Sequence, residues 1–407
     1  ELWQGVTLEP PDGIFAIKDR CDNDTFPQKI DLSIGAYRGD DAKPWVLPAV
    51  RKAFTRLVND PLHNYEYLPV SGHPEFTKAA AVLLFGEDSL VLKQNRVATV
   101  QTISGTGANY LGALFTHRYY RFNGDRKMYV SDPTWVNHHA IFKGVGLGLE
   151  TYPYYNPVTN RLDFGRLLTA FQNAPNGSVM VLHACAHNPT GVDPTRDQWS
   201  AIADVMVEKG HFAFFDCAYQ GFASGDPDED AWAVREFVRR SIPVVVCQSF
   251  SKNVGLYAER VGALHVVCPT SDCAFRVWRK LSSMVRAQMS TPPAHGARLV
   301  SLILNDPELF AEWKRNVKAM AKRIIEMRVE LHRLLTEELK TPGSWEHIVD
   351  QIGMFGFTGI SEGQAMALTE RAHVYMLLNG RISIAGLNRR NIRYFAQSLD
   401  RAMRGQL

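Results

Sequence analysis

The sequence predicts an α/β fold, a mostly parallel sheet sandwiched by helices, with a smaller second domain. Three observations carry that expectation. Short apolar runs recur between residues 97 and 268. They are apolar along their whole length instead of alternating, as strands covered on both faces are. Amphipathic stretches at 106–120 and 195–209 separate several of them.

The strand candidates, in order, are 97–103, 127–131, 178–183, 211–216, 242–248 and 260–268. After them, Asp306-Pro307 opens a long helix, with Asp306 as N-cap and Pro307 in the first turn. Leu309, Trp313, Val317, Met320, Ile324, Met327, Leu331 and Leu334 recur at three- and four-residue steps, a single apolar stripe. The helix is expected to reach about Leu339 and to act as a spine between two domains, with 342–407 in the smaller one.

Bulk properties narrow the function. With 407 residues, 45% of them hydrophobic, the chain can bury a large core. Lys and Arg number 45 against 42 Asp and Glu, which points to no nucleic-acid or membrane partner. No apolar run approaches the ~18 residues of a membrane span. The six cysteines form no C-x-x-C pair and read as reduced thiols of an intracellular protein. The chain opens on Glu1, so a processed organellar form stays compatible with the cytoplasmic location expected here.

The polar residues cluster in pattern. In open α/β sheets, ligands bind beyond the carboxyl ends of the strands. Ser104-Gly105-Thr106-Gly107 follows the first run, Asp132-Pro133-Thr134-Trp135 the second, and His187-Asn188-Pro189-Thr190-Gly191 the third. The fourth ends in Asp216, with Tyr219 just beyond, and the fifth leads into Ser249-Phe250-Ser251-Lys252. A Gly-rich turn into a helix suits a phosphate, and Arg260 adds a planar, permanent cation. Asp216 at a buried strand end calls for a cationic partner, such as a protonated pyridine nitrogen. Tyr219 and Asn188 can hydrogen-bond a phenolic oxygen. A desolvated Lys252 suits a Schiff-base amine. Phosphate, pyridinium and aldehyde together describe pyridoxal 5'-phosphate. His183, Cys185 and His187 alternate and could face one side of a strand, yet their apolar neighbours fit a buried strand, so no metal is expected.

These segments bring a known family into view. "SFSKNVGLYAERVG", "HACAHNPTGVDP", "SDPTWVNHH", "SGTGAN", "NYEYLPVSG", "IGAYR", "PPAHGAR" and "GRISIAGL" resemble the motifs of class I, fold type I pyridoxal-phosphate aminotransferases of the eukaryotic aspartate aminotransferase type. The resemblance covers nearly the whole chain. It implies a large domain at 45–319, a small domain built from both chain ends (12–44 plus 320–407), and an N-terminal arm at 1–11. It implies that Lys252 bonds the cofactor, Asp216 pairs with its ring nitrogen, and Tyr219 and Asn188 hold its ring oxygen. Trp135 would stack on the ring. Ser104, Gly105, Thr106, Ser249 and Arg260 would hold the phosphate, joined by Tyr67 of a neighbouring subunit in a homodimer. Arg381 would take the substrate's α-carboxylate and Arg286, reaching across the dimer, its second carboxylate, with Gly35 and Asn188 flanking the substrate. Ser33-Ile34, Gln248 and Ala258 depart from the more usual residues and leave room for altered side-chain preference.

The implied reaction is reversible transamination between L-aspartate and 2-oxoglutarate, giving oxaloacetate and L-glutamate, with ping-pong kinetics. Its substrates would be dicarboxylic amino acids and 2-oxo acids. A broad enzyme that adds aromatic amino acids is the nearest alternative. A β-lyase or decarboxylase on the same fold is disfavoured by the two arginines, which suit dicarboxylates. A dinucleotide-binding module is disfavoured because Ser104–Gly107 lacks the G-x-G-x-x-G spacing.

Overall fold

The computed structural model describes residues 2–8 and 13–407. Residues 1 and 9–11 of the expected arm lie outside the described residues. The chain divides into two compact units. The larger comprises Trp45–Ile325 and Gln351–Met354; the smaller comprises the residues up to Pro44, Glu326–Asp350 and Phe355–Leu407.

A seven-stranded sheet organises the larger unit. Its strands are β1 (Val97–Ile103), β2 (Lys127–Asp132), β3 (Gly148–Pro153), β4 (Val179–His183), β5 (Phe212–Cys217), β6 (Val244–Ser249) and β7 (Val261–Val267). Their spatial order is β1-β7-β6-β5-β4-β2-β3. Every neighbouring pair is parallel except the two that β7 makes, with β1 and β6. All six strand candidates are found. β3 is additional: Gly148, Glu150 and Thr151 are exposed, so residues 148–153 lack the continuous apolar run that marks a central strand.

Adjacent residues of one strand serve opposite faces. Phe214 packs with Leu111, Phe142, Val245 and Leu264. Phe215 packs with Trp199, Ile202, Phe237 and Val246. A strand with two apolar faces must be covered twice, which is why these runs do not alternate. Helix α1 (Ser104–Tyr119) supplies Leu111 to the first face and α2 (Arg196–Lys209) supplies Ile202 to the second. Thr195 and Gln198 form a reciprocal cap at the start of α2, and Gly210 ends it at a left-handed φ of 63°.

The long helix runs Pro307–Arg333, followed by one wider turn at Leu334–Glu338. Asp306 caps it, its Oδ1 accepting from Leu309 N at 2.9 Å. All eight residues of the apolar stripe are buried.

In the smaller unit Ile30–Asp31 pairs in parallel with Val374–Tyr375, and Phe355–Phe357 pairs antiparallel with Arg381–Ser383. Arg328 is buried there and donates to the carbonyls of Ile348 (3.1 Å) and Phe355 (2.6 Å). Asp24 ties the first pair of strands to the preceding loop. Its carboxylate accepts from Phe26 N at 2.8 Å and from the Tyr375 hydroxyl at 2.8 Å, and it meets His373 Nδ1 at 2.6 Å. The hydrogen bonds from Phe26 and Tyr375 lower its carboxyl from 3.8 to about 2.

A folded-state value below the unfolded one gives stability that is present above the unfolded value and lost as pH falls through the folded value. Urea midpoints taken at about pH 6 and about pH 3 are therefore expected to fall less in Asp24→Asn than in the parent, with Asp24→Asn the weaker of the two at about pH 6.

Candidate active site

Parallel order places the carboxyl ends of β1, β2, β4, β5 and β6 at one edge of the sheet. The antiparallel β7 brings its amino end to that same edge, and with it Arg260. Gly262 lies opposite both Ser249 and Thr102. A Cβ there would come within 2.5 Å of the Ser104 carbonyl carbon and 2.7 Å of the Gln248 carbonyl oxygen, so only glycine fits. A Cβ on Gly105 would likewise sit 2.9 Å from that of Ser249.

These close approaches gather hydroxyls and a guanidinium. Ser104 opens α1 with a left-handed φ of 59°, so the helix starts at Ser104, before the expected Thr106. Its N–H donates to Arg260 O at 3.0 Å, and Arg260 Nη2 donates back to Ser104 Oγ. Arg260 Nη1 donates to Tyr257 O at 2.7 Å and reaches Ser251 Oγ at 3.4 Å. Ser249 Oγ accepts from Ser251 N at 3.2 Å. Thr106 N donates to Ser104 Oγ at 3.3 Å in the first turn of α1, where backbone N–H groups favour an anion.

Asp216 is the buried anion of this edge. Its Oδ2 accepts from His138 Nε2 at 3.0 Å and from Asn109 Nδ2 at 3.2 Å. Burial pushes the carboxyl up, but the lowering influences, of which the His138 hydrogen bond is the largest, outweigh it and hold it below its ordinary value. The proton positions behind it follow from one backbone donor. Asn188 N donates to His183 Nδ1 at 3.2 Å, so that nitrogen is bare. His183 Nε2 therefore carries the proton and donates to Thr134 Oγ1 at 3.2 Å. Thr134 Oγ1 also meets His138 Nδ1 at 2.9 Å, and His138 Nε2–H faces Asp216. Burial drives His183 down to about 3, in keeping with a neutral ring.

Lys252 is half-buried, with Nζ 5.3 Å from the centroid of the Tyr219 ring. Burial lowers its ammonium below the ordinary value, Arg260 adds to this, and Asp216 opposes it. Two buried amides brace the chain beside it. Asn253 Nδ2 donates to Gln220 O at 3.0 Å, and Gln220 Nε2 donates to Leu83 O at 2.8 Å and Pro227 O at 3.1 Å. Gln248 Nε2 donates to Gln220 Oε1 at 3.2 Å, while Gln248 Oε1 faces His265 Nε2 at 2.8 Å. The residues after Tyr219 and Lys252 are therefore fixed to one polar chain running to Thr99.

A lysine, an ionised carboxylate, a tyrosine and a hydroxyl–guanidinium cluster share one sheet edge. The family model "Aminotransferase class I and II" matches residues 27–399. The chain belongs to this aminotransferase family. It is 47% identical over 393 residues to the cytoplasmic aspartate aminotransferase of Schizosaccharomyces pombe, spanning 97% of this chain and 96% of that one. A solved aspartate aminotransferase from Saccharomyces cerevisiae cytoplasm superimposes with a TM-score of 0.96 at 45% identity, covering 100% of this chain and 99% of that one. The broad specificity aminotransferase from Leishmania mexicana gives 0.94 at 44%, covering 99% and 98%.

Within this aminotransferase, Ser104, Gly105, Thr106, Trp135, Asn188, Asp216, Tyr219, Ser249, Lys252 and Arg260 all belong to the larger unit. Trp135 is half-buried and meets His138 edge-on, with centroids 5.2 Å apart. Arg286 and Tyr67 are also in that unit but are exposed; Arg286 reaches only its neighbour Ser290 among the contacts described. Arg381 and Gly35 belong to the smaller unit. Arg381 is buried, donates to Ser33 O and lies 4.2 Å from the centroid of the Phe355 ring. The strand of His183 ends at that residue, so Cys185 and His187 sit in the turn beyond it and do not continue one strand face. His187 instead bridges Ser131 at 2.9 Å and Thr190 at 2.8 Å.

Asn109 and His138, which hold Asp216, were assigned no role from sequence. Both lie inside segments that mark the family, "SGTGAN" and "SDPTWVNHH", and that is the signal that points to them.

Gln248→Leu would strand His265 Nε2–H and Gln220 Oε1 in the core. The expected loss is about 1–3 kcal/mol for each unpaired group, read from urea denaturation.

Proposed function

We propose that the chain is an aspartate aminotransferase that uses pyridoxal 5'-phosphate and works as a homodimer in the cytoplasm. The observation that carries the reading is the pairing of an ionised, buried Asp216 with a half-buried Lys252 of depressed pKa at one sheet edge. The donor set suits that cofactor. Both described protein hydrogen bonds to Asp216 go to Oδ2, which keeps Oδ1 for a pyridinium N–H. Ser104, Thr106, Ser249 and Arg260 match a phosphate, with Gly105 admitting the close approach. When bound, the cofactor supplies an electron sink for the charge left on the substrate's α-carbon.

The chain's own residues do the rest. Lys252 Nζ would hold the cofactor at rest and, once freed by the substrate amine, would be the base that takes the α-carbon proton and hands it to the cofactor's former aldehyde carbon. Its depressed pKa raises the share of free amine at neutral pH. Asp216, held below its ordinary value, would keep the ring nitrogen protonated through its ionised carboxylate. Tyr219 and Asn188 bind the ring oxygen, and Trp135 covers the ring face. We assign Arg381 to the substrate's α-carboxylate, beside Gly35, and Arg286 to the second carboxylate of dicarboxylic amino and 2-oxo acids. Tyr67 of a neighbouring subunit joins the phosphate set. The proposed division, 45–319 against 12–44 plus 320–407 with an arm at 1–11, differs from the two compact units in giving residues 320–325 and 351–354 to the small domain.

A broad specificity extending to aromatic amino acids is the second reading. The observation favouring it is the exposure of Arg286, held only by Ser290 among its described contacts, which leaves it free to swing aside for an uncharged ring.

Two measurements test this. Mixing the cofactor-loaded protein with L-aspartate and, separately, L-tyrosine should convert the cofactor's absorption with aspartate; comparable conversion by tyrosine would establish the broad reading, and no cofactor band at all would overturn both. Lys252→Ala should keep the native circular dichroism while losing at least about 10²–10⁴-fold in the aspartate half-reaction.

A further inference from the structure

The turn that leaves β4 after His183 carries Asn188, and Asp193 grips it from its far end. Asp193 Oδ2 accepts from Ala186 N at 2.6 Å, and Oδ1 accepts from His187 N at 2.8 Å. One carboxylate thus spans two successive N–H groups with both oxygens. Ala186 has a left-handed φ of 49°, which a residue with a Cβ keeps only where its surroundings impose it. The rest of the turn is locked around that fork. Gly191 N donates to His187 O at 2.7 Å, Val192 N to Thr190 Oγ1 at 3.1 Å, and the Tyr154 hydroxyl to Val192 O at 2.6 Å. The Tyr154 ring stacks on that of His187, with centroids 3.9 Å apart. Asn188 is half-buried between these anchors. Its N–H is spent on His183 Nδ1, and its carboxamide is left for a ligand.

We propose that Asp193 is a positioning residue of the active site, setting the Asn188 carboxamide against the cofactor's ring oxygen through the Ala186 and His187 N–H groups. The inference rests on the reading of Asn188 given under the proposed function. Asp193 fixes the backbone at the two residues that precede Asn188, so the direction of the Asn188 side chain is set before any ligand arrives. The carboxylate is suited to this because each oxygen takes one donor. An asparagine has the same shape but a single acceptor oxygen, and its NH2 would face one of the two N–H groups. With half of the fork gone, Ala186 is free to leave its left-handed conformation and the carboxamide turns away from the ring oxygen.

The test is a pH titration of the bound cofactor's absorption in the loaded protein, with urea midpoints taken alongside. A donor to the ring oxygen favours its unprotonated form and lowers the titration midpoint, so losing the donor raises it. Asn188→Ala should raise the midpoint by about one to two pH units, the equivalent of one hydrogen bond to a charged group. Asp193→Asn should raise it in the same direction and by less. Asp193→Glu, which keeps the charge but moves both acceptors by one methylene, should do the same and serves if Asp193→Asn does not fold. In the double variant of Asn188→Ala with Asp193→Asn the midpoint should equal that of Asn188→Ala alone, because nothing is left to position. A raised midpoint in Asn188→Ala with an unmoved one in the Asp193 variants, even where their urea midpoints fall, would overturn this inference alone and leave Asp193 purely structural. Shifts that add in the double variant would overturn it as well, since Asp193 would then act by another route. An unmoved midpoint in Asn188→Ala would overturn the reading of Asn188 and this inference with it.

Discussion

A carboxylate shut away from water stays charged only where its neighbours replace the lost hydration. Asp216 is that group here, and the rest of the edge is arranged around it. Two donors, from His138 and Asn109, meet one of its oxygens. The direction of both matters more than their number. The backbone N–H of Asn188 fixes His183, the His183 ring meets Thr134, and Thr134 meets His138 Nδ1, so His138 Nε2 is held toward Asp216 as its donor.

That constraint reaches into the fold. The chain that orients His138 passes through residues that follow β2, end β4 and follow β4, and it arrives at the end of β5. It closes only if these strands are parallel and in register, with His183 opposite Asp216. The antiparallel β7 answers a different need. Running β7 backwards delivers Arg260 from its amino end, next to Ser104 and Ser249. The glycines at 105 and 262 are consequences, since three backbones crowd within contact distance there.

The central sheet was legible because its strands carry apolar residues on both faces, a signal that needs no tertiary information. β3 was not, since an edge strand with polar residues resembles a loop in one dimension. Among the site residues, those that end strands could be read from position: Asp216, Ser249 and Lys252 follow apolar runs where a polar residue needs a reason. Asn109 and His138 could not. Each sits within a helix, one turn or more from its partner's strand, and helical spacing alone does not say which face meets a carboxylate. The long helix shows the same rule from the other side: its cap and its stripe are local, and Asp306 does accept from Leu309 N as its sequence position requires.

Lys252 faces two demands that conflict. As a base it needs a depressed pKa, which burial and Arg260 provide, yet Asp216 nearby favours its charged form. Distance from solvent decides between them, and distance is set by the backbone. The amides on either side are what hold it: Asn253 donates to Gln220 O, and Gln220 is anchored to Leu83 and Pro227 and receives Gln248. The same anchor carries Tyr219, over whose ring the Lys252 amine lies. Base and phenol thus share one rigid mount of amides. His265, at the far end, is kept neutral by burial, which pulls it down to about 3. A charged group anywhere along that mount would have acted on Lys252 through the low-dielectric core; amides give the stiffness without the field.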